Sequence, residues 1–141
     1  MTSKTIEGAV VALIRGASLV GARVWGEDAP EGATLPYITV HGPISTVPRL
    51  RGDGQTLGSE RLDQVDLWQE RRHPRGGTAV DPTLAGRLIL AMDGASLDLD
   101  PAVGKAFHCH VQDLQRVPEP DEANLTHHAI TLSIKHDRGA I

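Results

Sequence analysis

The sequence predicts an α+β fold, in which an antiparallel or mixed sheet of about four to five strands carries two helices packed on one face. Two apolar stripes at helical spacing and several short alternating segments give the order helix, three strands, helix, two strands. That order lacks the regular alternation of strand and helix that a doubly wound parallel sheet requires. Only four of the 141 residues are aromatic, so we expect the core to be aliphatic.

The first helix is predicted over Ser3 to Ala17. Its apolar residues recur at helical spacing and share one face, and they are Ile6, Val10, Leu13, Ile14 and Ala17. A side-chain oxygen of Thr2 or Ser3 is expected to cap the N-terminus of this helix. A short helix with one apolar stripe must lie against another layer, and the sheet is that layer.

The second helix is expected to begin at Asp81, whose carboxylate caps it, with Pro82 in the first helical position. Its apolar stripe consists of Leu84, Leu88, Ala91 and Met92. Gly94 supplies the C-terminal stop. Gly86 lies inside the helix, where glycine is unfavourable, and we expect it to mark a close packing contact.

The strands are predicted from alternation of polar and apolar residues. The five segments are Arg23–Trp25, Pro36–His41, Arg61–Gln69, Phe107–Gln112 and His128–Lys135. Within two of them the aliphatic residues face one side (Ile38, Val40, Val65, Leu67), and the other side carries Tyr37, Thr39, His41, Gln64, Asp66 and Trp68. The last two segments are expected to form a hairpin.

Glycine and proline divide the chain between these elements. The 15 glycines and 9 prolines cluster, and the clusters predict long loops near residues 42–60 and 70–80 on a single domain spanning residues 1–141. A long loop is typically functional or disordered. The glycine-rich stretch Gly52–Gly58 lacks the Gly-Lys-Ser/Thr ending of a phosphate-binding loop.

Positive charge is concentrated in two of these loops although the chain carries a net charge of −4. Arg49 and Arg51 flank the first loop, and Arg71, Arg72 and Arg75 follow the third strand. The overall charge does not favour nucleic acid. The arginines are either ordinary solvated loop charges or contacts to an acidic partner, which is a neighbouring protein subunit or the phosphates of DNA passing nearby.

Other features exclude several classes of protein. The longest apolar run, Ala9–Ile14, is six residues, which is too short for a membrane-spanning helix. The first residues, Met1–Lys4, lack the apolar core and the small-residue cleavage site of a secretory signal, so we expect no such signal. Cys109 is the only cysteine, so no internal disulfide forms and a reducing compartment is expected. No nucleophile or cofactor motif is present, and we expect neither an enzyme nor a bound cofactor.

The seven histidines suggest one alternative of another class, a small metal-binding module or hydrolase. His108 and His110 are two apart on a predicted strand, so both project from one face. His127 or His128 on the partner strand would lie across from them, and zinc accepts imidazole ligands. Histidines on an outer strand face are more often solvated or at a subunit contact, and no metal ligand is assigned.

The order of these segments resembles the tail-completion, or tail-terminator, proteins of long-tailed bacteriophages. The matching stretches, which together span nearly the whole chain, are Leu19–Trp25, Leu35–Val40, Gln64–Trp68, Met92–Gly94 and Ala95–Leu99, followed by two long strands. The stretch Arg71–Pro82 departs from this pattern, because Pro74 and Asp81-Pro82 delay the second helix.

The resemblance implies a structural protein of the virion with no catalytic residues. Such proteins assemble in the host cytoplasm into a ring, typically hexameric, that caps the tail tube at its head-proximal end. The implied partners are further copies of the chain, the tail tube protein and the head connector or stopper protein, with viral DNA passing nearby. A head–tail connector or neck subunit of the same junction is the alternative within this setting.

Overall fold

The computed structural model describes residues 3–50, 54 and 56–138. Within these residues two helices and five strands follow one another in the predicted order: α1 (Ile6–Gly16), β1 (Val24–Gly26), β2 (Tyr37–Leu50), β3 (Thr56–Glu70), α2 (Leu84–Met92), β4 (Gly104–Val117) and β5 (Leu125–Arg138). A 3₁₀ turn, Asp121–Ala123, connects β4 to β5. The predicted α+β class is confirmed.

The strands form one mixed sheet with the order β1-β2-β3-β5-β4. β1 runs parallel to β2, whereas the other three neighbouring pairs are antiparallel. Val65 of β3 lies opposite both Val40 of β2 and Ile130 of β5. Because residues that lie opposite one another point to the same side of a sheet, this row belongs to one face.

Both helices cover that face, as predicted. Ile14 of α1 and Leu88 of α2 are fully buried, and they belong to the same apolar cluster as Val40, Val65 and Ile130 of the sheet. The cluster consists of aliphatic side chains together with Met92 and Cys109. The aliphatic core expected from the composition is therefore present on the helix side of the sheet.

The helix α1 begins later than predicted. Thr5 caps it, because Thr5 Oγ1 accepts a hydrogen bond of 2.9 Å from the backbone N–H of Gly8. Ser3, one of the two expected caps, instead forms a β-bridge with Leu99. Thr2, the other expected cap, lies outside the described residues. The backbone of Ser3 is thus committed to strand pairing, which excludes a helical start at this position.

The helix α2 begins at Leu84 rather than Asp81. The Asp81 carboxylate accepts hydrogen bonds from the backbone N–H (2.9 Å) and hydroxyl (2.7 Å) of Thr83, so it stabilises a turn before the helix. Gly94, with a φ of 77°, follows the helix end as predicted. The expected packing contact at Gly86 is wrong, since a methyl group there would have no atom within 4 Å.

The region predicted as a loop at residues 42–60 is mostly strand. β2 continues to Leu50 and β3 begins at Thr56. A shift in register between His41 and Ser45 accommodates the Gly-Pro pair between them. Pro48 is tolerated because β1 pairs with β2 only up to Val40, so that beyond this residue β2 has a free outer edge. The second predicted loop does lie between β3 and α2.

Candidate functional site

The basic cluster after β3 contains one arginine that is bonded to the body of the fold. The Arg71 guanidinium donates hydrogen bonds to Asp121 Oδ1 (2.7 Å), the Leu125 carbonyl (2.9 Å) and the Glu119 carbonyl (3.3 Å). These bonds connect the end of β3 to the connection between β4 and β5. Arg71 therefore anchors two segments that are about fifty residues apart in the sequence.

The next residues form a small protrusion, the arginine hairpin, defined as residues 72–78. Arg72 and Thr78 form a β-bridge, and Asn124 fixes the base by hydrogen bonds to both the N–H (3.0 Å) and the carbonyl (2.9 Å) of Arg72. Arg75 lies in the turn, which the backbone bond from Gly76 N–H to the His73 carbonyl closes. Arg72 and Arg75 are exposed, and neither guanidinium is ion-paired with any residue that the structure describes.

Arg49 lies on β2 and forms an ion pair with Asp137 of β5 at 2.7 Å. The two side chains reach each other across β3 at Gly58, which lies opposite both of them. Any side chain at position 58 would collide with the backbone of His136. Arg51, which with Arg49 was a candidate contact to an acidic partner, lies outside the described residues.

The side of the sheet away from the helices, here called the open face, carries three of the four aromatic residues. Trp25, Tyr37 and Trp68 are half-buried and follow one another across β1, β2 and β3, with ring centroids 5.9 and 6.3 Å apart. His127 of β5 stacks on Trp68 with its ring centroid at 3.8 Å. Partly exposed clusters of tryptophan and tyrosine are typical of protein interfaces.

A chain of alternating carboxylates and imidazoles crosses the same face. It runs Glu27–His41–Asp66–His127–Glu119, with successive nitrogen–oxygen distances of 3.2, 3.3, 2.6 and 3.1 Å. The central Asp66 is only 2% exposed. Because carboxylate oxygens only accept hydrogen bonds, an imidazole N–H is the donor at each hydrogen-bonded link of the chain.

The carboxyl group of Glu7 extends this chain towards α1. Burial and the neighbouring Glu27 carboxylate raise the pKa of Glu7 above its ordinary value. The backbone of Gly26 lies directly beside the Glu7 carboxylate, so that a side chain at position 26 would collide with it. On the open face itself, burial raises the pKa of the Tyr37 hydroxyl.

A cleft of about 400 Å³ opens beside the aromatic rings. Its walls include Tyr37 and Trp68 from the sheet and Glu27, Asp28 and Glu31 from the loop between β1 and β2. Aromatic faces and carboxylates both attract cations, so the cleft suits a guanidinium or ammonium group.

The histidines proposed as zinc ligands are not brought together. His110 lies opposite Ser133, whereas His127 lies opposite Val117. Six residues of β5 separate these two positions, which corresponds to about 20 Å along a strand. The alternative in which His108 and His110 lie across from His127 or His128 is therefore wrong. No group of three metal-ligating side chains occurs in the described part of the chain.

Cys109 gives no sign of chemical activity. Its side chain is buried, and burial together with the Asp63 carboxylate raises the pKa of the thiol to about 11. The reactive thiolate form is therefore scarce at neutral pH.

Neither described helix is long and apolar enough to cross a membrane.

Sequence reasoning missed the open face as a site. The alternation in β2 and β3 already placed Tyr37 and Trp68 opposite the aliphatic side, and a ring on the polar side of a strand is the available signal. The same alternation placed His41 and Asp66 on this side, but it did not connect them to the other members of the ion chain. Its members come from separate segments, and Glu27 and Glu119 join it only through the fold.

The fold is a mixed five-stranded sheet that is covered on one side by a two-helix layer. A chain in a solved structure described as the virion of a native gene transfer agent particle has this fold, with a TM-score of 0.71. The match covers 94% of this chain and 94% of that chain, at 18% sequence identity. No family model and no curated protein matches the sequence.

Proposed function

We propose that this protein is a structural component of a phage-like virion, and that it forms a hexameric ring that ends the tail tube at its head-proximal end and joins it to the head connector. The observation that carries the proposal is the fold shared with a virion chain over 94% of both chains. The order of sequence segments that resembles tail-terminator proteins supports the finer assignment. The partners are then other copies of the chain, the tail tube protein and the connector protein, with viral DNA passing nearby.

A ring needs a heterologous interface, in which two different surfaces of the same chain are complementary. The arginine hairpin presents Arg72 and Arg75, and the cleft on the open face presents Glu27, Asp28 and Glu31 beside aromatic rings. These two surfaces differ in shape and in charge. We assign the hairpin of one subunit to the cleft of the next, which satisfies the charges that each subunit alone leaves exposed.

The decisive experiment removes the gene from the particle-producing genome and examines the particles by electron microscopy. A tail terminator predicts tubes of uncontrolled length that lack heads, with normal particles restored by the gene supplied in trans. Tubes of uniform length beside unattached heads would instead indicate the connector or neck role. Particles of normal composition and shape would refute both.

The interface is tested separately by charge reversal. The double variant Arg72→Glu/Arg75→Glu is expected to fold normally and to lose ring formation in native mass spectrometry with tail tubes present. Lys105→Glu, an exposed change on β4 away from the arginine hairpin, is the matched control. A further Glu31→Arg substitution should restore assembly, and failure of this rescue would place the hairpin against a different surface.

A further inference from the structure

A second cavity lies on the helix side of the sheet, away from the open face. Its volume is about 460 Å³. Arg116 of β4 with Thr126 and His128 of β5 forms its floor, and Arg71 lines one side. The segment 78–82 and Ala85 in the first turn of α2 complete the wall. The cavity is therefore built from three separate parts of the fold.

Three buried polar atoms of the residues that line this cavity have no hydrogen-bond partner in the described residues. They are Arg71 Nε, Thr126 Oγ1 and His128 Nδ1. Thr126 is only 3% exposed, so its hydroxyl is shielded from bulk solvent. Buried polar groups in folded proteins are nearly always paired, because leaving them unpaired is destabilising. The three residues that carry these atoms line the same cavity, which points to a common ligand.

The charge around the cavity is positive. Arg71 and Arg116 both line it. The one carboxylate in the lining, that of Asp81, is occupied by hydrogen bonds from Thr83 and by an ion pair of 2.7 Å with Arg87. The start of α2 adds the partial positive charge of a helix N-terminus.

The donors are held in place by the surrounding structure. The bonds from Arg71 to Asp121 and Leu125 fix its guanidinium, so the remaining Nε–H has a defined direction. Gln69 Oε1 accepts a hydrogen bond of 2.9 Å from the Asp81 N–H, which holds the segment 78–82 over the cavity. These contacts hold the donors in fixed directions, and preorganised donors favour affinity.

We propose that this cavity binds one small oxyanion, through Arg71 Nε, Thr126 Oγ1 and the Arg116 guanidinium, with the ring of His128 as an additional donor. A free phosphate and a carboxylate carried by a neighbouring protein share this chemistry. The site does not depend on the proposed ring, since every group in it belongs to one chain.

Binding is expected to be coupled to proton uptake. Burial, the Arg116 guanidinium and His127 lower the pKa of His128, which favours the neutral ring in the free protein. The titratable and charged groups around it are Arg71, Arg116, His127 and the paired carboxylate of Asp81. A bound anion stabilises the imidazolium, so the affinity should rise as the pH falls.

The test compares thermal unfolding of the full chain in sodium phosphate, sodium acetate and sodium chloride at equal ionic strength. Phosphate or acetate is expected to raise the unfolding temperature above that in chloride. Thr126→Val keeps the shape but removes the hydroxyl, and it should weaken the apparent anion affinity at least about tenfold. Thr131→Val, the same change on the open side of the same strand, should leave the affinity unchanged.

A second pair of variants tests the charge. Arg116→Gln should weaken anion binding, whereas Lys105→Gln should not. Calorimetry in buffers of different ionisation enthalpy should report proton uptake on binding at pH 7, and Arg116→Gln should change the amount of uptake. A stronger response to phosphate identifies a free anion, and a stronger response to acetate identifies a carboxylate. Equal unfolding temperatures in all three salts, or an unchanged response in Thr126→Val, would overturn the proposal and leave a water-filled cavity.

Discussion

Substitution of Asp66 by asparagine tests whether the ion chain holds the open face together. Asp66 Oδ1 accepts hydrogen bonds from His127 Nε2 (2.6 Å) and Gln64 Nε2 (2.8 Å), and its Oδ2 lies 3.3 Å from His41 Nε2. Asparagine keeps the shape but removes the charge and turns one acceptor into a donor. One imidazole then faces an amide N–H, and the other loses a charged acceptor.

The expected loss follows from these contacts. A hydrogen bond to a charged group contributes about 1.5–3 kcal/mol. One such bond is lost and a second is weakened, so Asp66→Asn should lower the free energy of unfolding by about 2–4 kcal/mol. Because Asp66 is 2% exposed, solvent does not replace the missing partner.

The assay is equilibrium urea unfolding followed by circular dichroism. Asp113→Asn is the matched control. Among the described residues this exposed carboxylate on β4 accepts only from Gln115, and its loss should change the free energy of unfolding by less than about 0.5 kcal/mol. A double-mutant cycle with His127→Gln should give a coupling energy of about 1–3 kcal/mol. Stability of Asp66→Asn within about 0.5 kcal/mol of the unmodified protein would refute the reasoning.

Three further changes have defined outcomes. Gly86→Ala should stabilise the protein by about 1 kcal/mol in urea unfolding, because the position is helical and open, and an unchanged or lower stability would contradict this. Because the pKa of Glu7 is raised in the folded state, the free energy of unfolding falls as the pH rises above 4.5. Glu7→Gln should therefore have the same stability as the unmodified protein near pH 4 and a higher stability at pH 7. Equal stability of the two proteins at both pH values would contradict this. Arg71→Ala should lower the free energy of unfolding by about 2 kcal/mol in salt-free buffer, whereas Arg72→Ala should lower it by less than about 0.5 kcal/mol. Equal losses in the two variants would show that Arg71 does not anchor the two segments.

The layers of the fold were predictable because they depend on local pattern. Alternation in β2 and β3 separated Ile38 and Leu67 from Tyr37 and Trp68, and a sheet with one helix-covered face follows directly. The extent of the strands was not predictable from glycine and proline content. Pro48 is compatible with a strand only because β2 has a free edge there, and edge position is a property of the whole sheet.

The candidate sites depended more strongly on tertiary structure. The sequence drew attention to five arginines, yet it could not distinguish the anchored Arg71 from the exposed Arg75, because the partners of Arg71 lie about fifty residues away. The same reason explains the histidines. The alternative metal site needs His110 to lie across from His127 or His128, and the register that separates His110 from His127 is set by the turn at Asp121–Ala123.

The placement of the two tryptophans gives this protein an internal spectroscopic reporter. Trp25 and Trp68 are the only tryptophans in the sequence, and both lie half-buried on the open face. Indole emission shifts to shorter wavelength when the ring leaves water, so contact with another protein at this face changes the fluorescence of the unlabelled chain. Stacking on His127 adds a quenching contact to Trp68 alone. Subunit association can therefore be followed in real time, and Trp68→Phe would show which of the two rings reports it.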